Sequence, residues 1–117
     1  MQTFCGGELG GAGLIGLLRL LLAAPLLEEW IIRAGVQEWL IRRDGAGGRL
    51  IAVANVVLPA CCFSLLHLRA GPLVMTHVLL PGLVLGVVYQ HRRDWRVCAL
   101  IHAGFNGMAI SFCTLNR

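Results

Sequence analysis

Glu28 and Glu29 stand side by side, with Arg33 four residues beyond the second, inside a run (LLLAAPLLEEWIIRAG, 20–35) that otherwise reads as membrane-spanning. An ionisable side chain near the centre of a bilayer costs roughly 2.5–3.5 kcal/mol on the insertion scale, so such a group requires partners, water or a task. Two further pairs share the spacing of four, Phe63 with His67 and His102 with Asn106. That spacing puts both members one turn apart on one helix face, so His102 and Asn106 point the same way and Glu29 reaches Arg33 in the favoured acid-before-base order. Carboxylates, imidazoles and an amide shielded from bulk water are the inventory for water attack on a carbonyl. The carboxylate serves as general base toward the water, and imidazole and amide N–H groups donate to the developing oxyanion.

Plainer roles compete for the same residues. Glu29 and Arg33 also fit a purely structural ion pair, because paired charge is how apolar helices tolerate such side chains. Glu28 has no comparable local partner: Ile31 and Ile32 occupy the positions three and four residues on. A lone histidine in an apolar span is more often an interhelical donor than a catalyst, which covers His77 and His91. Two histidines and a glutamate also suit zinc with water in the fourth position. No HExxH is present, however, and the ligands would come from three segments, so zinc is the minority alternative. Ser64 and Ser111 lack a nucleophile setting, and no GxSxG occurs.

The elements that must position these groups are apolar runs at about 11–40, 50–68, 72–90 and 97–115. The last three match the 18–20 residues that span hydrocarbon. The first is long enough for a span plus a helical extension, GVQEWLIRR, ending at Arg42 and Arg43, with Pro25 placed to break or kink it. Pro81-Gly82 is placed to kink the third span. Residues 42–49, 68–72 and 90–96, rich in glycine, proline and charge, are the connectors. Composition agrees: 57% of residues are hydrophobic and 14% charged, too few to coat a soluble surface. The expected fold is therefore all-α and polytopic, about four transmembrane helices around a polar cavity, with 1–10 as a tail and 11–117 as one domain.

The net charge of +4 comes entirely from arginine on the basic side, since there is no lysine. Clustering between apolar runs argues for membrane topology, not nucleic acid. Arg42, Arg43, Arg49, Arg92, Arg93 and Arg96 fall on one side and Arg69 and Arg117 on the other, so the first side is expected to be cytoplasmic, with both termini outside. The five cysteines are odd in number and mostly within apolar runs, so they are expected to be small buried hydrophobes and not a disulfide framework. One count conflicts with a single site. At about 1.5 Å per residue from the arginine-rich side, Glu28 and His67 lie about 20–25 Å deep but His102 only about 8 Å.

EEWIIR, FSLLH and HAGFN, in this order on successive hydrophobic segments and with AAP preceding the first, resemble the CAAX protease and bacteriocin-processing family, to which the Ras-converting CAAX endopeptidase belongs. The resemblance covers about residues 20–110. It implies an intramembrane glutamate endopeptidase working without metal or other cofactor. Glu28 would be the general base, His67 would help activate water, and His102 with Asn106 would form the oxyanion hole. Glu29 and Arg33 would be the supporting pair and Phe63 packing beside His67. The implied partners are membrane lipid and a peptide or protein substrate in or near the bilayer, and the implied location is the inner membrane of a bacterium. Relatives usually have glycine directly after the motif arginine, where this chain has Ala34, and many have further spans before the first motif, so a minimal or truncated member is expected. The rival readings are a non-proteolytic immunity or binding factor on the same fold and a structural subunit of a membrane complex. Oligomeric state stays open.

Overall fold

The computed structural model describes residues 13–45 and 47–115; the expected tail at 1–10 lies outside the described residues. Four helical stretches follow one another. The first, α1, runs over 14–44 and changes its winding along the way: α-helical at Leu14–Leu18, π-helical at Arg19–Ala23, α-helical at Ala24–Glu29, π-helical at Trp30–Gln37 and α-helical at Glu38–Asp44. Then come α2 (Arg49–Leu65), a 3₁₀ turn (Leu68–Ala70), α3 (Pro72–Arg92) and α4 (Trp95–Leu115). No strand occurs among the described residues. Within the LRAGP connector, Gly71 sits at φ +98°, a left-handed conformation that favours glycine, and Pro72 starts α3 where a missing N–H costs nothing.

Residue pairs give the helix directions. Gly82 and Gly86 of α3 face Ala60 and Val56 of α2, so these two run antiparallel. Arg33 and Gln37 of α1 bond the carbonyls of Gly82 and Gly86, so α1 and α3 run parallel. Glu38 pairs with Arg93 and Glu28 with His102, so α4 returns antiparallel to α1. The α2–α3 contact is close because its residues are small. A Cβ on Gly86 would fall 2.9 Å from Val56 Cγ1, and one on Gly82 3.3 Å from the Phe63 ring. Helices without a hydrophobic drive to associate commonly approach through such small residues four apart.

The distribution of polarity is that of a membrane protein. Glu29, Arg33, Gln37, Asn55, Ser64 and His102 are buried, while Leu14, Ile15, Leu50, Leu80, Leu100 and Met108 are among many exposed apolar side chains. Pro72–Arg92 and Trp95–Cys113 are long and apolar enough to cross a bilayer, and α2 is a shorter apolar helix of 17 residues. Leu85, Tyr89 and Cys98 form the core between α3 and α4.

Pro25 does not break α1. Where the winding widens, the Ala24 N–H bonds the Arg19 carbonyl. The next donor along that winding would be residue 25, which has no N–H. The Leu20 carbonyl instead accepts from Asn106 Nδ2 of α4 at 2.7 Å. Pro81 likewise lies inside a continuous α3. The cysteine expectation holds in part: Cys98 is a buried free thiol, Cys61 and Cys62 are free but exposed, and Cys113 is disulfide-bonded. Apolar helix faces turned outward leave room for exposed thiols, so burial could not be read from hydropathy alone.

Candidate functional site

The site is built on the middle of α1. In an α-helix, a spacing of four advances about 40° per step, so three residues spaced by four drift off one line. Trp30–Gln37 winds wider than an α-helix, and Glu29, Arg33 and Gln37 are all fully buried against α3 and α4. Arg33 spends its guanidinium on three acceptors. Nε donates to Glu29 Oε2 at 3.2 Å, Nη1 to Gln37 Oε1 at 2.9 Å and Nη2 to the Gly82 carbonyl at 2.9 Å. The expected Glu29–Arg33 pair thus forms, in a setting where a lone charge of either sign would be costly.

His102 reaches the same place from α4. Its Nδ1 lies 3.6 Å from Glu29 Oε1 and its Nε2 lies 3.5 Å from Glu28 Oε2. Glu29 Oε1 and His102 Nδ1 are both buried with no hydrogen bond, each the other's nearest complement. The two glutamates differ in access: the Glu28 side chain is 26% exposed and Glu29 is not exposed at all. The first opens to the surroundings of the helices and the second does not.

Phe63 lies between the two histidines, its ring centroid 5.0 Å from that of His67 and 5.3 Å from that of His102, both edge-on. It packs beside His102 as well as beside His67. His67 Nδ1 is 3.0 Å from the Phe63 carbonyl. A carbonyl only accepts, so Nδ1 carries the proton there, and His67 itself lies in the turn just past Leu65, beyond the end of α2. Asn106 sits one turn beyond His102 on α4, and its bond to the Leu20 carbonyl uses one of two amide protons. Ser64 gives its hydroxyl proton to the Met75 carbonyl at 2.8 Å, tying α2 to the start of α3. His77 Nδ1 lies 2.7 Å from the Leu73 carbonyl one turn back on its own helix.

The depth conflict disappears because its zero was misplaced. Glu38, not Arg42, pairs with Arg93 across the helix ends. Counted from that shared level, Glu28 lies about 15 Å in along α1 and His102 about 13 Å in along α4. Sequence reasoning passed over Gln37, treating it as part of a helical extension. The spacing of four from Arg33 was the available signal.

Among the described residues, no group of three His, Cys, Asp or Glu side chains is arranged to hold a metal ion. No curated protein and no solved structure matches the chain. The family whose model matches is "Type II CAAX prenyl endopeptidase Rce1-like", over residues 10–108. That span contains all three motifs and the helices that bring Glu28, Glu29, Arg33, Phe63 and His102 together, and the chain belongs to this family, with its CAAX-type intramembrane endopeptidase fold.

Proposed function

We propose that the protein hydrolyses a peptide bond of a membrane-associated protein or peptide, with Glu28 as the base that activates water. The observation that carries this reading is the asymmetry of the two glutamates. Glu29 is sealed and tied to Arg33, whereas Glu28 is 26% exposed and borders the His102 ring at 3.5 Å. Glu28 takes a proton from water as the water oxygen bonds to the carbonyl carbon. His67, beside Phe63 in the turn past α2, helps to orient that water. The oxyanion accepts hydrogen bonds from His102 and from the second amide proton of Asn106. Collapse of the tetrahedral species expels the amine, which leaves with the proton held on Glu28, and the other product is a carboxylate. Glu29 lies beside the His102 ring on its Nδ1 side, and Arg33 holds Glu29. Phe63 packs between the histidines. The chemistry needs no metal or other cofactor. Membership of a type II CAAX prenyl endopeptidase-like family makes a prenylated CAAX-type C-terminal segment the first substrate class to try.

The test is cleavage in proteoliposomes of prenylated and unprenylated CAAX-type peptides, read by mass spectrometry, with wild type and Glu28→Gln and with and without a zinc chelator. The reading predicts cleavage by wild type, a loss of about 10²–10⁴-fold in Glu28→Gln, and indifference to chelator. Equal cleavage by both proteins removes Glu28 from the mechanism. Loss of cleavage with chelator transfers the chemistry to zinc. No cleavage of any peptide favours an immunity or binding factor.

A further inference from the structure

Gln37 lies outside the three motifs, yet it is as deeply buried as the motif charges. Its Oε1 accepts from Arg33 Nη1 at 2.9 Å and its Nε2 donates to the Gly86 carbonyl at 2.9 Å, with Gln90 Oε1 further off at 3.4 Å. A buried guanidinium needs acceptors on every edge, but a second carboxylate beside it would leave an unbalanced negative charge. Glu29 supplies the countercharge and Gln37 supplies a neutral acceptor. Gly86 makes room for the arrangement, since a Cβ there would come within 3.4 Å of Arg33 Nη1.

We infer that Gln37 is a positioning residue of the site, acting through Arg33 and Glu29 on His102. The links are consecutive: Gln37 fixes Nη1 of Arg33, Arg33 Nε holds Glu29 Oε2 at 3.2 Å, and Glu29 Oε1 is thereby left facing His102 Nδ1 at 3.6 Å. With Gln37 Oε1 gone, the guanidinium keeps two of its three acceptors and turns toward whatever replaces the third. The Glu29 carboxylate turns with it, and the His102 ring loses its fixed neighbour. A misplacement of about 1 Å at a reacting group costs on the order of 10²-fold in rate.

The inference rests on the hydrolytic reading above, and its test carries one readout that needs no turnover. The variant is Gln37→Met, which keeps the volume without the acceptor. The full chain is labelled with ¹⁵N-histidine in detergent micelles, and His102 is assigned by the resonance lost in His102→Asn. In Gln37→Met the His102 resonances move and kcat falls by about 10–100-fold with KM nearly unchanged. Should Gln37→Met not fold, Gln37→Asn takes its place, polar but one methylene too short to reach Nη1. Unmoved His102 resonances with unchanged kcat overturn the inference. So does a Gln37→Met variant whose kcat falls while the His102 resonances stay in place, because Gln37 would then be only a latch to Gly86. If wild type cleaves nothing, the hydrolytic reading fails, while the His102 resonances still decide whether Gln37 positions the ring.

Discussion

Replacing Arg33 by methionine removes one buried charge and keeps most of the side chain's volume. The Arg33 and Glu29 side chains are both completely buried and 3.2 Å apart. Without the guanidinium, Glu29 retains a carboxylate with no countercharge, and Gln37 Oε1 and the Gly82 carbonyl lose donors at 2.9 Å. Breaking a buried ion pair by removing one partner costs about 3–5 kcal/mol. At about 1.4 kcal/mol per factor of ten, the folded-to-unfolded ratio falls by roughly two to three and a half orders of magnitude. Replacing both partners, as in Glu29→Leu with Arg33→Met, leaves no stranded charge and recovers most of the loss, since an apolar pair of similar volume is often as stable as the ions it replaces. Reversible unfolding in mixed micelles, followed by helical circular dichroism against SDS fraction, measures both. A cost of about 1 kcal/mol or less for Arg33→Met, as for an exposed pair, would refute the reasoning. A double variant no more stable than the single one would do the same.

Other perturbations test separate parts of the structure by the same unfolding measurement. Gly86→Ala puts a Cβ 2.9 Å from Val56 Cγ1 and should cost about 1–3 kcal/mol, whereas Gly104→Ala meets nothing within 4 Å and should be neutral or stabilising by up to about 1 kcal/mol. Asn106→Leu deprives the Leu20 carbonyl of its donor, and Pro25→Ala restores a backbone N–H nearby. The two changes should therefore couple by about 0.5–1.5 kcal/mol in a double-mutant cycle, and strict additivity would count against the account of the proline turn. Asp94 accepts from the Arg96 side chain and from the Arg96 N–H at the start of α4, which hold its carboxyl below the ordinary value of 3.8. A depressed folded value means that its contribution is complete above the ordinary value and is lost as pH falls through the folded one. Asp94→Ala should therefore flatten the stability profile on the acid side of pH 3.8 and leave its shape near neutrality unchanged.

Much of the site was legible because membrane spans make polar residues conspicuous. Glu28, Glu29, Arg33, His67, His102 and Asn106 stand out against apolar neighbours, and a spacing of four assigned the Glu29–Arg33 pair before any coordinates. Gln37 was harder to see. Its neighbours in GVQEWLIRR are mixed in polarity, so it resembled a solvated extension, and nothing local revealed that the helix winds wider over Trp30–Gln37 and turns it inward. Pro25 misled for a related reason: its effect depends on a donor from Asn106, distant in sequence, that no local rule supplies. Depth is not legible from the arginines, because α4 meets α1 at the level where Glu38 pairs with Arg93. Local chemistry was readable from spacing, and the registration of one helix against another was not.

The most direct test of the central claim, water activated by Glu28, is single-turnover cleavage in H₂¹⁸O with enzyme in excess over a peptide that wild type cuts. The account predicts one ¹⁸O in the new C-terminal carboxylate in the first turnover and an unlabelled Glu28 side chain. An unlabelled product with ¹⁸O recovered in the Glu28-containing peptide would contradict it, because Glu28 itself would then have attacked the carbonyl.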